Sequence, residues 1–544
     1  MMREIEIELH EASANNDILA LEILLKNKDI NINLENVLGL TPLMHAAKFG
    51  YAKIVEMLIK AGANINKADK LFITPLMSAA ANGHYDVVKL LIENKADVNK
   101  KDVNNTTALH YASSSNYTDI IKLLVENKAD INAKTDLHIT PIMYSCQLSN
   151  YEAVKFLVDN GAKLDECDIY EENVLHYAIS SGNIEIVEYI LNKQDLEIPR
   201  YALTIASISG NLSLVHYIHS KLKDDRKENI FSSAFISAAH NGHLDIVRYF
   251  FDTSKKDAPK AIALASSGGH KNVVEYLLMN GISPNGISDD GKSALIYAIE
   301  TSNKDIIELL IKYNVDINMP DDDDITPLMY AASVGDIEIV KKLLDNKASI
   351  KLVDNLGRNA LTHAAMSGNI TIIELLLDNG LTLKNKKENI SLLMWAVIYD
   401  NLKSVKYLIQ KGMDIKEKDK NGWNPFMFAC AKGYMDIIEY TLKIYPNILA
   451  EKSKNNETAL IIAADNEKIE VVDYLLSKGA CIKEKNSQCR TALEIAIIKN
   501  NFEICELIIN FYKINYANYN FQEEYNLAKE KGNKKIIDFI QSKL

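Results

Sequence analysis

Cysteine is scarce in this sequence: six in 544 residues, with no Cys-x-x-Cys pair. That excludes a disulfide scaffold and a zinc ribbon. Proline occurs ten times and tryptophan twice. No apolar run reaches the roughly 18 residues of a membrane span. The opening stretch MMREIEIELH lacks the apolar core of a signal peptide. Basic charge is in deficit, with 61 Lys and Arg against 73 Asp and Glu and a net charge of −12. A nucleic-acid binder held by phosphate neutralisation is therefore disfavoured. What remains is a soluble protein of a reducing compartment, expected in the cytoplasm. Apolar residues make up 47% and charged residues 25%, enough for a large core under an ordinary surface.

The chain is built from one repeated string. Thr41-Pro42-Leu43-Met44-His45-Ala46-Ala47 returns as Thr74-Pro75-Leu76-Met77-Ser78-Ala79-Ala80. It returns again from Thr107 and from Thr140, each time after 33 residues, and Thr326-Pro327-Leu328-Met329 and Thr491-Ala492-Leu493 join the series. Taking the small residue after the string as an anchor gives Ala12, Ala46, Ala79, Ala112, Ser145, Ala178, Ala206, Ala238, Ala265, Ala298, Ala331, Ala364, Ala396, Ala429, Ala463, Ala496 and Ala528. These seventeen repeats, spaced by about 32 residues, leave no room for another module.

Each repeat reads as two short helices. Thr41 is a good N-cap, and Pro42 fits the first helical position, where its missing N–H costs nothing. Four residues past the anchor a glycine ends the first helix in ten repeats, as at Gly50, Gly83, Gly335 and Gly433. The second helix places apolar residues at i, i+1, i+4 and i+5, as in Ile54, Val55, Leu58 and Ile59. A loop such as Gly62–Asn66 and a polar finger follow. These residues resemble the ankyrin repeat, whose signature is nearly written out in Ala80-Ala81-Asn82-Gly83-His84-Tyr85-Asp86-Val87-Val88 and in Ala239–Val247. The resemblance implies an all-α fold: a superhelical solenoid of helix pairs with short β-hairpin fingers along one edge.

The spacing shortens twice, to 28 between Ala178 and Ala206 and to 27 between Ala238 and Ala265. The missing residues fall in the fingers, at Leu191–Arg200 and Phe251–Pro259, and Lys221–Asn229 is unusually charged. The expected organisation is an N-terminal capping repeat at 1–36 and regular repeats at 37–198. Irregular repeats with shortened fingers follow at 199–285, then regular repeats at 286–522 and C-terminal capping helices at 523–544.

Few residues suggest chemistry. Gly286-Ile287-Ser288-Asp289-Asp290-Gly291-Lys292-Ser293 matches the P-loop pattern. It follows the end of a repeat helix, however, where a phosphate loop follows a buried strand. Its two aspartates would repel phosphate, so the loop is read as a finger and the next helix cap. Most histidines occupy repeat slots. His216, His219, His240 and His243 cluster, but no carboxylate or thiolate completes a metal set. Cys146, Cys430 and Cys505 fill core slots, and Cys481 and Cys489 flank one finger. No catalytic residue, cofactor or metal ligand is assigned.

The resemblance instead implies partner binding through finger tips and the exposed end of the first helix. Those slots hold Val37, Leu38, Leu40 and Phe49, then Leu71 and Ile73, then Leu137, Ile139 and Leu148, then Ile169 and Tyr170. Leu38, Leu71, Leu137 and Tyr170 share one column at multiples of 33. They form an exposed apolar strip, unless neighbouring fingers bury them against each other. Asp289, Asp290, Asp322 and Asp323 form an acidic column in a stretch, 284–325, with ten acids and three lysines. It suits a basic partner or a cation, or is a solvated acidic face. Tyr399 and Trp423 fill inner-helix and finger slots nearby and are candidate anchors. The expected function is a non-enzymatic protein-interaction scaffold or adaptor, monomeric, using its finger tips and the concave inner-helix face. Two alternatives stay open. One is an exported effector acting on a host protein in the host cytosol. The other is a nucleotide-binding enzyme using Gly286–Ser293.

Overall fold

The computed structural model describes residues 4–27, 29–222, 227–383, 390–516 and 519–543. Residues 223–226 of the charged segment Lys221–Asn229 lie outside them. The described residues form 34 α-helices in seventeen consecutive pairs. Every anchor lies within the first, inner helix of a pair and is at most 4% exposed. The helices divide between two compact bodies, Met1–Asp257 and Ala258–Leu544. Within each body, the inner helix of one repeat packs on the inner helix of the next. A methyl group at the anchor is what lets two such helices lie close together.

Local chemistry sets the helix ends. Thr41 sits extended (φ −94°, ψ 163°), and its hydroxyl accepts the N–H of Met44 at 3.3 Å. The Met44 sulfur in turn lies 3.3 Å from the Thr41 N–H, filling the role that Glu has in a common capping box. Thr74 with Met77, Thr326 with Met329 and Ser391 with Met394 repeat the device. Four residues past the anchor the backbone is left-handed in all seventeen repeats. Ten of those positions are the predicted glycines, and Asn16, Asn116, Ser149, Ser302, Asp400, Glu467 and Asn500 hold the same conformation in the others. The turn between paired helices is thus the same throughout, whatever side chain occupies it.

Side-chain ladders stitch repeat to repeat. Asn33, Asn66, Asn99 and Asn132 each accept a backbone N–H from the next repeat, at 2.6–2.8 Å. Asn285 and Asn318 do the same in the C-terminal body at 2.7 Å. On the outer helices, charges pair between neighbours, as in Lys193–Asp159 at 2.9 Å and Lys271–Asp305 at 3.4 Å. Such exposed pairs contribute little singly.

The fingers differ from the hairpins implied by the resemblance. Only two isolated β-bridges join pairs of described residues, Cys167 with Asn173 and Ile287 with Ser293. The finger's first residue closes the turn. The Asp69 carboxylate accepts the N–H groups of Leu71 and Ile73, both at 2.9 Å. Asp102, Asp168, Asp321, Asp354 and Asp419 repeat this two-fold cap. The same fingers keep one backbone bond across their ends, as from the Asp69 N–H to the Ile73 carbonyl at 3.1 Å, so they are tight capped turns rather than extended ladders.

The two shortened joints lack a finger. Residues 194–201 connect Ile184–Lys193 to Ala202–Ser209, and 251–257, ending in the 3₁₀ turn Lys255–Asp257, precede Ala258–Ser267. In the C-terminal body this brings Pro259 against Gly286. A Cβ built on Gly286 would lie 1.7 Å from the Pro259 carbonyl oxygen.

Two outcomes follow from this packing. Gly286→Ala is expected to destabilise the C-terminal body by about 1–3 kcal/mol through overpacking. Both tryptophans, Trp395 and Trp423, lie in that body, so tryptophan fluorescence in a urea titration reads its unfolding directly. An unchanged midpoint contradicts the packing. The second outcome concerns His110, which is fully buried. Its Nδ1 accepts the Thr107 N–H at 3.2 Å, and its Nε2 donates to the Ile139 carbonyl at 3.1 Å. Burial pushes its pKa down to about 4. The unfolded chain takes up the proton near pH 6.5, so stability is lost as pH falls from about 6.5 towards 4. At pH 5 the loss is about 2 kcal/mol. His110→Gln should flatten the difference between urea unfolding curves of the N-terminal body, followed by circular dichroism at pH 7 and pH 5. An equal loss in both proteins contradicts the assignment.

Candidate partner-binding surface

The caps described above place the finger tips, and at several joints a single backbone hydrogen bond ties one finger to the next, while Lys70 Nζ donates to the Val37 carbonyl at 2.7 Å at the first. Val103 N–H donates to the Leu71 carbonyl and Ile169 N–H to the Leu137 carbonyl, both at 3.1 Å. This bond aligns the tips without covering them. Leu38 is 63% exposed, Leu71 56%, Leu137 46% and Tyr170 71%. Neighbouring fingers therefore do not bury the column against itself. Asn104 interrupts it, with the exposed Val103 beside it. Leu40, Ile73 and Ile139, the residues just before the helix cap, are half-buried and lie beneath the exposed row. Phe49 is exposed at the end of its inner helix and stacks on Tyr51 at 5.9 Å. Leu148 and Ile169 are exposed as well.

The acidic column is partly engaged within the C-terminal body. Asp289 pairs with Lys260 at 2.5 Å. Asp290 accepts from the Tyr297 hydroxyl at 2.8 Å and from Ser288. The Ser288 bond, aided by Tyr297 and working against partial desolvation, holds the Asp290 carboxyl below the usual range. Asp323 accepts from Asn355 at 3.0 Å. Asp322 and Asp324 are exposed and have no side-chain hydrogen bond or ion pair among the described residues. The column is therefore a mixture of structural and unengaged carboxylates.

The two aromatic candidates differ in kind. Tyr399 is half exposed, and its hydroxyl accepts from Arg358 Nη1 at 3.2 Å. Trp423 is half-buried, packed on Met427, Ala431 and Ile462 and edge-on to Phe428 at 5.3 Å. Its indole is largely part of the packing between two repeats.

One column escaped the sequence reading. The residue just before the anchor is Tyr111, Tyr144 and Tyr177 in the N-terminal body, and Tyr297, Tyr330, Trp395 and Phe428 in the other; all are half-buried. They line the inner-helix face beneath the fingers. Tyr111 donates to Asp102, Tyr177 to Asp168 and Tyr330 to Asp321, each at 2.7 Å. Burial, with the carboxylate alongside, raises each phenol above its usual range. The signal was the same 33-residue recurrence that revealed the finger columns. At His363 the clasp changes chemistry. His363 Nε2 lies 3.0 Å and Arg358 Nε 2.6 Å from the buried Asp354 carboxylate, and the Arg358 guanidinium lies 5.4 Å from the centre of the Trp395 ring. Burial opposes ionisation of Asp354, but the bonds from Arg358 and His363 outweigh it and hold its pKa low. A buried ion pair here does the positioning work of the Asp–Tyr bond elsewhere.

The P-loop match dissolves in three dimensions. Gly286 is wedged against Pro259, Gly291 turns the finger at φ +76°, and Ser293 caps Ala294–Glu300. Lys292 Nζ pairs with Glu300 at 2.6 Å and lies over the Tyr297 and Tyr330 rings. No group of three metal-ligating side chains occurs among the described residues. His216 packs on Tyr249 at 4.3 Å, and His219 Nδ1 meets the Tyr249 hydroxyl at 2.5 Å. Cys146, Cys430 and Cys505 are buried, and burial pushes the Cys505 thiol up to about 12; Cys481 and Cys489 are exposed. No helix among the described residues is long and apolar enough to cross a membrane.

Comparison with known proteins agrees with this architecture. The family described as "Ankyrin repeats (3 copies)" matches residues 8–69, 70–135, 133–200, 203–288, 235–321, 263–354, 313–387 and 426–522. "Ankyrin repeats (many copies)" matches 393–440. The chain is 34% identical over 93 residues to SH3 and multiple ankyrin repeat domains protein 2 of Homo sapiens, a match covering 17% of this chain and 5% of that one. It is 40% identical over 55 residues to protein phosphatase 1 regulatory subunit 27 of Mus musculus (10% and 36%). A putative ankyrin repeat protein of Rickettsia felis is 30% identical over 122 residues (22% and 27%). The matched stretches thus span little more than a third of these relatives at most. With family matches over nearly its whole length, and an inner-helix anchor and left-handed turn in every repeat, the chain belongs to the ankyrin repeat family.

Proposed function

We propose that this chain is a non-enzymatic scaffold or adaptor that holds a protein partner through its finger tips and inner-helix face, in the cytoplasm. One observation carries the reading: Leu38, Leu71, Leu137 and Tyr170 stay exposed in register along one edge. A folded protein gains nothing by holding these side chains in water, and covering them stabilises a complex. Full burial of a leucine contributes about 1.5–3 kcal/mol. The inner-helix tyrosines widen the same surface with amphipathic rings. The family's repeats are interaction modules, and one relative is named as a regulatory subunit.

A second surface of different chemistry lies at Asp289, Asp290, Asp322 and Asp323, where the unengaged Asp322 favours a basic segment of the partner. For a chain that acts in another cell, the partner belongs to that cell, and the choice of lysate separates the two settings.

The test is affinity capture from lysate with the wild type beside Leu38→Asp/Leu71→Asp, read by mass spectrometry. A protein retained by the wild type and reduced more than about tenfold by the variant is expected. Retention unchanged by the variant removes the finger assignment. A wild-type chain with no saturable partner in any lysate removes the scaffold itself.

A further inference from the structure

The row of bonds that joins finger to finger in the N-terminal body stops after the sixth repeat. Val103 N–H donates to the Leu71 carbonyl at 3.1 Å, Asp136 to Asn104 at 3.0 Å and Ile169 to Leu137 at 3.1 Å. The next rung would run from the seventh repeat to the Tyr170 carbonyl. That repeat has no finger. Residues 194–201 lead straight into Ala202–Ser209, held down by the buried Leu196 and Pro199. The Tyr170 carbonyl accepts no hydrogen bond among the described residues.

The gap also leaves apolar side chains in the open. The N-cap slot of the inner helix holds Thr41, Thr74, Thr107 and Thr140 in regular repeats, each at most 2% exposed. In the seventh repeat the same slot holds Tyr201, which is 64% exposed. Ile208, at the far end of that helix, is 47% exposed. Tyr170, on the last finger before the gap, is the most exposed member of its column.

The charge around the gap is mostly of one sign. Glu171, Glu172, Asp195 and Glu197 are exposed and form no ion pair among the described residues. Residues 168–201 hold two bases, Lys193 and Arg200. Lys193 is spent on Asp159 of the preceding repeat. The Arg200 guanidinium lies 5.8 Å from the centre of the Tyr201 ring. The four unpaired carboxylates outnumber it, so the gap favours basic side chains and repels an anionic lipid surface or a nucleic acid. An extended chain offers free backbone N–H groups to the Tyr170 carbonyl, whereas a helix has spent most of its own.

We propose that this gap docks an extended segment of a partner protein, with aromatic or aliphatic side chains flanked by lysines or arginines. Its backbone takes the rung that the seventh finger leaves empty, much as a peptide extends the edge of a sheet. Its apolar side chains cover Tyr170, Tyr201 and Ile208, and its basic ones meet Glu171, Glu172, Asp195 and Glu197. The proposal rests on the finger-edge reading through Tyr170 and adds to it the chemistry of the occupant at the place where that edge is incomplete.

The test pans a library of random peptides of about ten residues, roughly 33 Å when extended, against the full chain. Enriched peptides are expected to combine aromatic or aliphatic residues with lysine or arginine. Their binding, after labelling with fluorescein, is read by anisotropy. Tyr201→Ser/Ile208→Ser should weaken it by about tenfold or more, as should Glu171→Gln/Glu172→Gln/Asp195→Asn/Glu197→Gln. Asp289→Asn/Asp322→Asn should leave it within about twofold. All the substituted side chains at the gap are exposed, and circular dichroism verifies folding. Peptides whose affinity is unchanged by Tyr201→Ser/Ile208→Ser overturn the proposal, as does a library that yields no binder. Loss confined to Leu38→Asp/Leu71→Asp overturns it and keeps the finger-edge reading. A wild-type dimer in sedimentation velocity that Tyr201→Ser/Ile208→Ser dissociates overturns it too, since a second copy then fills the gap.

Discussion

The small residue in the middle of each inner helix, alanine in sixteen repeats and Ser145 in the other, fixes how near the next repeat comes, and everything else in the structure is arranged around that spacing. A helix pair of some twenty residues has too little apolar surface to fold by itself. It becomes stable by lending one face to each neighbour, so the array's stability is a sum over joints. A methyl group at the anchor keeps the joint tight enough for Asn33, Asn66, Asn99 and Asn132 to reach across it. With the joints fixed, the fingers are carried at a constant interval, and identical slots in successive fingers fall into columns.

Function enters where this economy leaves side chains over. Repeat positions that face solvent are free to vary without harming the joints, and in this chain several have drifted in a consistent direction. Leu38, Leu71, Leu137 and Tyr170 make an apolar edge. Asp289, Asp290, Asp322 and Asp323 make an acidic one. Tyr111, Tyr177 and Tyr330 clasp finger carboxylates and tie the inner-helix face to the finger edge, so that a partner touching one surface meets a rigid extension of the other. The Asp354–Arg358–His363 cluster shows that the clasp tolerates a change of chemistry so long as a donor meets the buried carboxylate.

Most of the architecture was legible in the sequence because it is local and repeated. The Thr-Pro cap, the glycine after the first helix and the paired apolar residues of the second each depend on nearby residues alone. What was missed depends on contacts between distant slots. The tyrosine before the anchor has its role set by a bond from its hydroxyl to the finger aspartate nine residues earlier, as from Tyr111 to Asp102. Trp423 is a candidate anchor by its finger slot, and that slot gives no hint of its packing on Ile462 in the next repeat. Leu40, Ile73 and Ile139 were grouped with the tips, although the residue before the helix cap turns inward. The fingers proved to be tight capped turns, each held by a side-chain cap and one backbone bond such as that from the Asp69 N–H to the Ile73 carbonyl.

The central claim is that the proposed recognition runs along the finger edge and the inner-helix face, while the outer helices behind those fingers hold the stack. Hydrogen–deuterium exchange of the full chain, alone and with a captured partner, tests it most directly. The account predicts slowed exchange at residues 36–40, 69–73, 102–106, 135–139 and 168–172 and in the adjoining inner helices, with the outer helices of the same repeats unchanged. Protection confined to the outer helices, with the fingers exchanging as in the free chain, would contradict it.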